Sequence, residues 1–493
     1  MASDKPGAVH LESAVTLQSN SYKTWKSMMP AFGGRGFWPL AVVLLALVWM
    51  VWIYASVYPG AMSADSIAIL GQARSGAFLD AHPPALGLIW RWVDSWIPGP
   101  QGMLALHLVG LYGGVALVMS IAALRVGPIA GILLPGFLIN PAIGGIVGVI
   151  WTDILMAAAL TSAVGLIAFA GISNGTARYF TLAVALFAIC VGIASRHNAA
   201  AAAIPLVAGV LFALVGRRKS IIGTSAVLAS SVAVTLLLFV ACNFFAASVV
   251  HDRQHFWTVL AQYDVAGIAA RTSDASIDAL FAPATLEDVQ VLYTPRSVIP
   301  LLIGEQVHAE ASPFPKATPL PSDNIRTSEN LRDQLSTKWL NEVQAHPMDY
   351  LAHRSAVFGS LIGLPPFQTL WAPVFTRVDP NDLGVPSRGD ADSSLYRLMA
   401  GLSSTIVFNP AAYLAVCGLG FLASLLVVRR RPALWAPLAL ALFASGLLHM
   451  VGLFFSAVSS DFRYSYWMIV AATLGAICLI LAVIDGKSAR RRP

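Results

Sequence analysis

The amino-acid sequence predicts an all-α polytopic membrane protein with about ten transmembrane helices, ten to eleven, and a large external loop region. Composition comes first: 57% of the 493 residues are hydrophobic and 11% charged, and the mean hydropathy is +0.70, outside the globular range. Continuity comes second. Leu40 to Val57, Ile221 to Ala241 and Tyr464 to Ile484 each run for roughly 18 to 21 residues without a formal charge, enough to cross a hydrocarbon core of about 30 Å. The third observation is the placing of basic clusters in short breaks between apolar stretches, the mark of cytoplasmic loops.

Spans are expected at 38–57, 102–124, 127–148, 153–172, 179–195, 199–216, 221–246, 405–428, 433–456 and 464–485. An even number puts both termini on one side. With a cytoplasmic N-terminus, the clusters Arg217-Arg218-Lys219, Arg429-Arg430-Arg431 and Arg490-Arg491-Arg492 all fall inside. Of the 31 Lys+Arg, 16 are then inside, against 3 of the 25 Asp+Glu. The sequence pI of about 9.2 is therefore a topology signal and not a nucleic-acid footprint. The resulting organisation is a cytoplasmic N-terminal tail (1–37), seven helices (38–246) enclosing a first external loop (58–101), a large external region (247–404), three helices (405–485) and a basic cytoplasmic tail (486–493). The polar start has no cleavable signal-peptide pattern and is expected to be retained. Cys190, Cys242, Cys417 and Cys478 lie in or beside apolar segments, so neither a disulfide framework nor a zinc spacing is expected. The apolar stretch Tyr350 to Trp371, broken by Pro365-Pro366, is expected to be re-entrant or surface-lying, because as a full span it would move the Arg429 cluster outside.

Chemistry is sought in the external loops. The first runs from Tyr58 through Asp65 to Asp80-Ala81-His82-Pro83-Pro84. Asp65 opens a short helix, where Ser63 or Asp65 has a plain role as a cap; His82 before two prolines has an equally plain role in fixing the loop. Asp153, in Trp151-Thr152-Asp153, stands at the outer entry to the fourth span, where an aspartate is costly and tends to mark a site, although capping is an alternative. Ser195-Arg196-His197-Asn198 puts an arginine outside against the charge bias, either snorkelling at the interface or gripping an anion with its fork of donors. Ser460-Asp461-Phe462-Arg463-Tyr464 precedes the last span. Its plain reading is an Asp461 to Arg463 surface pair beside an interfacial tyrosine. In the external region, Arg354 is a weaker candidate for a head-group contact.

Asp65 beyond the first span, a short helix and then His82-Pro83-Pro84 before an apolar helix together resemble the GT-C superfamily of membrane glycosyltransferases. Protein O-mannosyltransferases and lipid A aminoarabinose transferases, among others, carry an acidic residue in the first external loop and often a His-Pro-Pro-Leu; Ala85 stands here in place of the leucine. The resemblance extends over residues 1–200 and the last external loop. It implies a GT-C-like fold and an inverting glycosyltransferase on the external face of a bacterial inner membrane, moving a sugar from a polyprenyl-phosphate donor to a glycan, lipid or protein acceptor. Residue by residue, it implies Asp65 as general base with Asp153 as the second catalytic acid. It puts Arg463 on the donor phosphate; Arg196 is expected on the same phosphate from its placement and its fork of donors, with His197 and Asn198 beside it and His82 and Tyr464 also on substrate. Some members use a divalent cation, Mg or Mn, but no metal-ligand spacing is visible here.

Two other classes compete. A polymerase or ligase of lipid-linked glycans also combines many spans with external Arg and His, but does not account for the pairing of Asp65 with His-Pro-Pro. A lipid or glycan transporter needs polar residues within its spans, where His107 and His449 nearly exhaust the supply.

Overall fold

The computed structural model describes residues 36–215, 221–272, 279–304, 317–365, 371–391, 393–430 and 434–490. The N-terminal tail to Arg35, the cluster Arg217 to Lys219, and Arg431, Arg491 and Arg492 lie outside the described residues.

Each of the ten apolar segments contains a helix among its described residues. Among the described residues, eight helices are long and apolar enough to cross a bilayer: α1 (Phe37–Val57), α4 (Gln101–Val126), α6 (Thr152–Ala170), α7 (Gly175–Ser195), α9 (Ile222–Val249), α13 (Pro410–Arg430), α14 (Trp435–Ser456) and α15 (Phe462–Gly486). Two shorter ones, α5 (Pro128–Leu138) and α8 (Ala199–Val215), complete the bundle. Between α1 and α4 lie α2 (Ala64–Ser75) and α3 (Ala85–Asp94); the long segment 247–404 contributes α10 (Trp257–Ala269), α11 (Glu329–Ala345) and α12 (Pro347–Leu361). The result is an all-α polytopic protein. Its only sheet among the described residues is a two-stranded parallel pair, Phe78–Leu79 with Val250–Asp252.

The helices α6 and α15 are mostly buried, while α1, α9 and α13 expose most of their surface. The exposed residues include Leu44, Val48, Leu237, Phe244, Leu419 and Leu422. Helices apolar on every side suit lipid and not water. With lipid tails as apolar as leucine, contact between helices rests on close approach of small residues. A Cβ added to Gly114 of α4 would lie 2.6 Å from the Thr161 carbonyl oxygen of α6, and one added to Gly165 would lie 2.7 Å from the Gly114 oxygen.

The expected third span, 127–148, is corrected. Helix α5 stops at Leu138, and apart from a four-residue helix, Pro141–Gly144, the chain to Trp151 is irregular, yet it is buried from Ala142 onward. Asn140-Pro141 ends the helix, because proline supplies no N–H and excludes the helical conformation from the residue before it. Irregular backbone at such a place must be satisfied by protein. Ala61 and Ile150 do so, with Ala61 N–H donating to Gly148 O and Ile150 N–H to Ala61 O at 2.9 and 3.0 Å.

The apolar stretch from Tyr350 begins as α12 and breaks at Gly363 (φ +71). Arg354 on this helix does not face a head group. It is fully buried and paired with Asp264 of α10 at 2.5 Å, and its Nη1 donates to Ala457 O at 2.8 Å. The same carboxylate meets His353 Nε2 at 3.1 Å and accepts from Trp339 Nε1 at 2.9 Å, so the external region has a buried polar core tied to the loop before α15.

Candidate active site

Four loops meet at one end of the bundle. Gly60, at φ +119, turns the chain after α1, a conformation that glycine adopts without a Cβ penalty. Ser63 occupies the N-cap position of α2, and its N–H donates to Ser66 Oγ at 3.3 Å. Ser66 Oγ in turn donates to Ile150 O, and Trp151 Nε1 to Ser63 Oγ at 2.7 Å, locking the first loop to the segment before α6. A further segment stitches the first loop to the last: Met62 N–H donates to Arg377 O at 3.0 Å, and Phe462 N–H to Trp371 O at 3.1 Å.

Asp65 sits in the first turn of α2, but its carboxylate turns away from the helix end. Oδ2 accepts from Arg463 Nη1 at 2.6 Å, and Oδ1 lies 3.8 Å from His82 Nε2. Burial alone would raise this carboxyl. The His82 contact and the Arg463 charge outweigh it and hold Asp65 well below the usual carboxylate range. Asp461 is also on Arg463, with Oδ2 2.8 Å from Nε and Oδ1 accepting the Arg463 amide at 3.3 Å. The plain alternative, a surface pair of Asp461 and Arg463, does not hold: the pair is largely buried. Burial pushes the Asp461 carboxyl up to about 6 against the pull of Arg463.

Asp153 is fully buried at the start of α6 and caps nothing; it faces Arg196 Nε at 3.3 Å. Arg196 leaves the end of α7 in extended backbone. Tyr464 joins the two arginines, its ring centroid 4.9 Å from the Arg196 guanidinium and 5.6 Å from that of Arg463; Trp151 lies 4.7 Å from Arg463. Arg196, His197, Asn198, His82 and Tyr464 all face one cavity of about 960 Å³. Burial and then Arg196 lower the His197 imidazole, favouring its neutral form, and Asn198 Oδ1 is buried without a partner among the described residues. Asp65, Asp153 and Arg463 do not line this cavity, but each contacts a residue that does: His82, Arg196 and Tyr464 in turn.

No family model matches the chain, and no curated protein matches it. A solved structure does. The crystal structure of ArnT from Cupriavidus metallidurans in the apo state is similar over 90% of this chain and 78% of that one, at 15% identity and a TM-score of 0.34. At that level the likeness carries nothing further about chemistry.

All eight residues singled out in the sequence thus gather within one cluster. Trp151, which supplies the ring beside Arg463, lies two residues before the singled-out Asp153. Arg253, His255 and Trp257, which wall the cavity from the segment 247–404, carried no spacing to mark them. The three carboxylates are each engaged by an arginine, and among the described residues no group of three or more His, Cys, Asp or Glu is arranged to hold a metal ion. This donor set does not fit a divalent cation.

Proposed function

We propose that this chain is a membrane glycosyltransferase that takes a sugar from a polyprenyl-phosphate donor on the external face of the inner membrane. The acceptor hydroxyl attacks the anomeric carbon and gives its proton to Asp65. The bond from that carbon to the phosphate oxygen breaks with its electron pair on the phosphate, which needs cations and not a strong acid. Arg196 at the cavity wall and Arg463 behind it are the phosphate ligands, Asp153 holds Arg196, and His82, His197, Asn198 and Tyr464 shape the sugar and acceptor positions.

One observation carries this reading: two arginines and two aspartates from separate external loops converge beside a cavity large enough for a glycosyl phosphate, at the mouth of an apolar bundle. The acceptor is a glycan, a lipid or a protein. The test is turnover of a polyprenyl-phosphate sugar by membranes that contain the protein and supply acceptors. Wild type should release polyprenyl phosphate, and Asp65→Asn should lower that release by about 10²- to 10⁴-fold, the usual contribution of a positioned base, at equal abundance. Release by Asp65→Asn at the wild-type rate would remove Asp65 from the chemistry.

A further inference from the structure

Two carboxylates share Arg463, and their hold on it is unequal. Asp461 is 4% exposed and fixed by both the guanidinium and the backbone amide of Arg463. Asp65 has a side chain 34% exposed, and apart from Arg463 its carboxylate meets only the His82 ring, at 3.8 Å, among the described residues. An incoming anion therefore competes more easily for the Asp65 arm than for the Asp461 arm. The Trp151 and Tyr464 rings do not resist such a shift, since attraction of a cation to a ring face is less directional than a hydrogen bond. A carboxylate bound to a guanidinium is also a poor base, because the positive charge opposes proton uptake.

We propose that Arg463 is a latch on Asp65 that the donor phosphate opens: the anion draws the guanidinium off Asp65 while Asp461 keeps hold of it as a pivot, so the base is released only when a donor is in place. The latch rests on the glycosyltransferase reading. Asp461 is then a positioning residue, acting through Arg463. The charged and titratable groups around Asp65 are Arg463 and Asp461 from the loop before α15 and His82 from the loop before α3, with Arg196 from the end of α7 and Asp153 from α6 beyond them.

The test uses the full chain in lipid nanodiscs with undecaprenyl phosphate as probe. Breaking the Asp65 contact lowers the affinity of wild type by the fraction of time that Arg463 is free. Asp65→Asn removes the competitor, so it should bind the probe roughly tenfold more tightly than wild type although it is inactive. Asp461→Asn, which loses the pivot, should bind more weakly than wild type. Undecaprenol, which lacks the phosphate, should not distinguish wild type from Asp65→Asn. Equal or weaker phosphate binding by Asp65→Asn, or a gain shared by undecaprenol, overturns the latch while leaving the glycosyltransferase reading in place. No binding to wild type overturns both. Asp65→Ser carries the same expectation and serves if the asparagine variant does not fold.

Discussion

Arg463 shows how a residue's chemistry depends on what stands beside it. Buried Asp461 takes up a proton as the pH falls through about 6, since burial disfavours its ionised form. A neutral Asp461 no longer pulls Arg463 from Asp65, so turnover should fall below about pH 6. Asp461→Asn should turn over slowly at every pH without that acid limb; a limb persisting in the variant would belong to another group. Loss of a charge-assisted bond to phosphate costs about 1.5 to 3 kcal/mol, so Arg463→Ala should weaken undecaprenyl phosphate binding by roughly 10- to 150-fold. Arg463→Lys should fall between the two, because lysine keeps the charge and loses the bidentate fork. Unchanged binding in Arg463→Ala would leave Arg463 as an internal ion pair only. At this scale the sequence marked Arg196 and Arg463 through their placement against the charge bias. It also marked Asp65, Asp153 and Asp461 one by one, but not that Asp65 pairs with Arg463 or Asp153 with Arg196, because pairing between residues 398 positions apart leaves no local pattern.

Helices were legible where they were long and apolar, and less so where they end inside protein. The run 127–148 is apolar throughout, yet Asn140-Pro141 stops α5 and delivers Trp151 and Asp153 to the site by irregular backbone. The segment from Trp371 to Asp379 stitches the first and last loops through isolated backbone pairs, which have no periodicity to read. The external helices α10 and α12 are joined by Asp264, His353 and Arg354, all with fully buried side chains. Removing one partner of a buried pair strands the other charge, at a cost of about 3 to 5 kcal/mol. Asp264→Asn should therefore lower the thermal unfolding temperature and expose the external region to limited proteolysis. A melt within error of wild type would show that Arg354 is satisfied by Ala457 O and its surroundings alone.

For the whole molecule, the proposed topology, with the N-terminus inside and the chain crossing at each of the ten apolar segments, puts the site on the external face. Reporter fusions at Asn174, between α6 and α7, should signal cytoplasm, and fusions at Glu329, at the start of α11, should signal the external side. The same signal at both positions would overturn the topology and the side assigned to the site. The sequence by itself determined the solvent and the class of fold, because covering a hydrocarbon core takes long uncharged runs that no soluble chain of this composition needs. It also determined which loops to search, since charge bias and polar residues at span ends are local properties. Only the tertiary structure decided that Asp65 and Asp461 share Arg463, that Arg354 is interior, and that residues 371–379 hold the site together. These depend on distances between segments hundreds of residues apart, set by how the helices pack and not by any repeat along the chain.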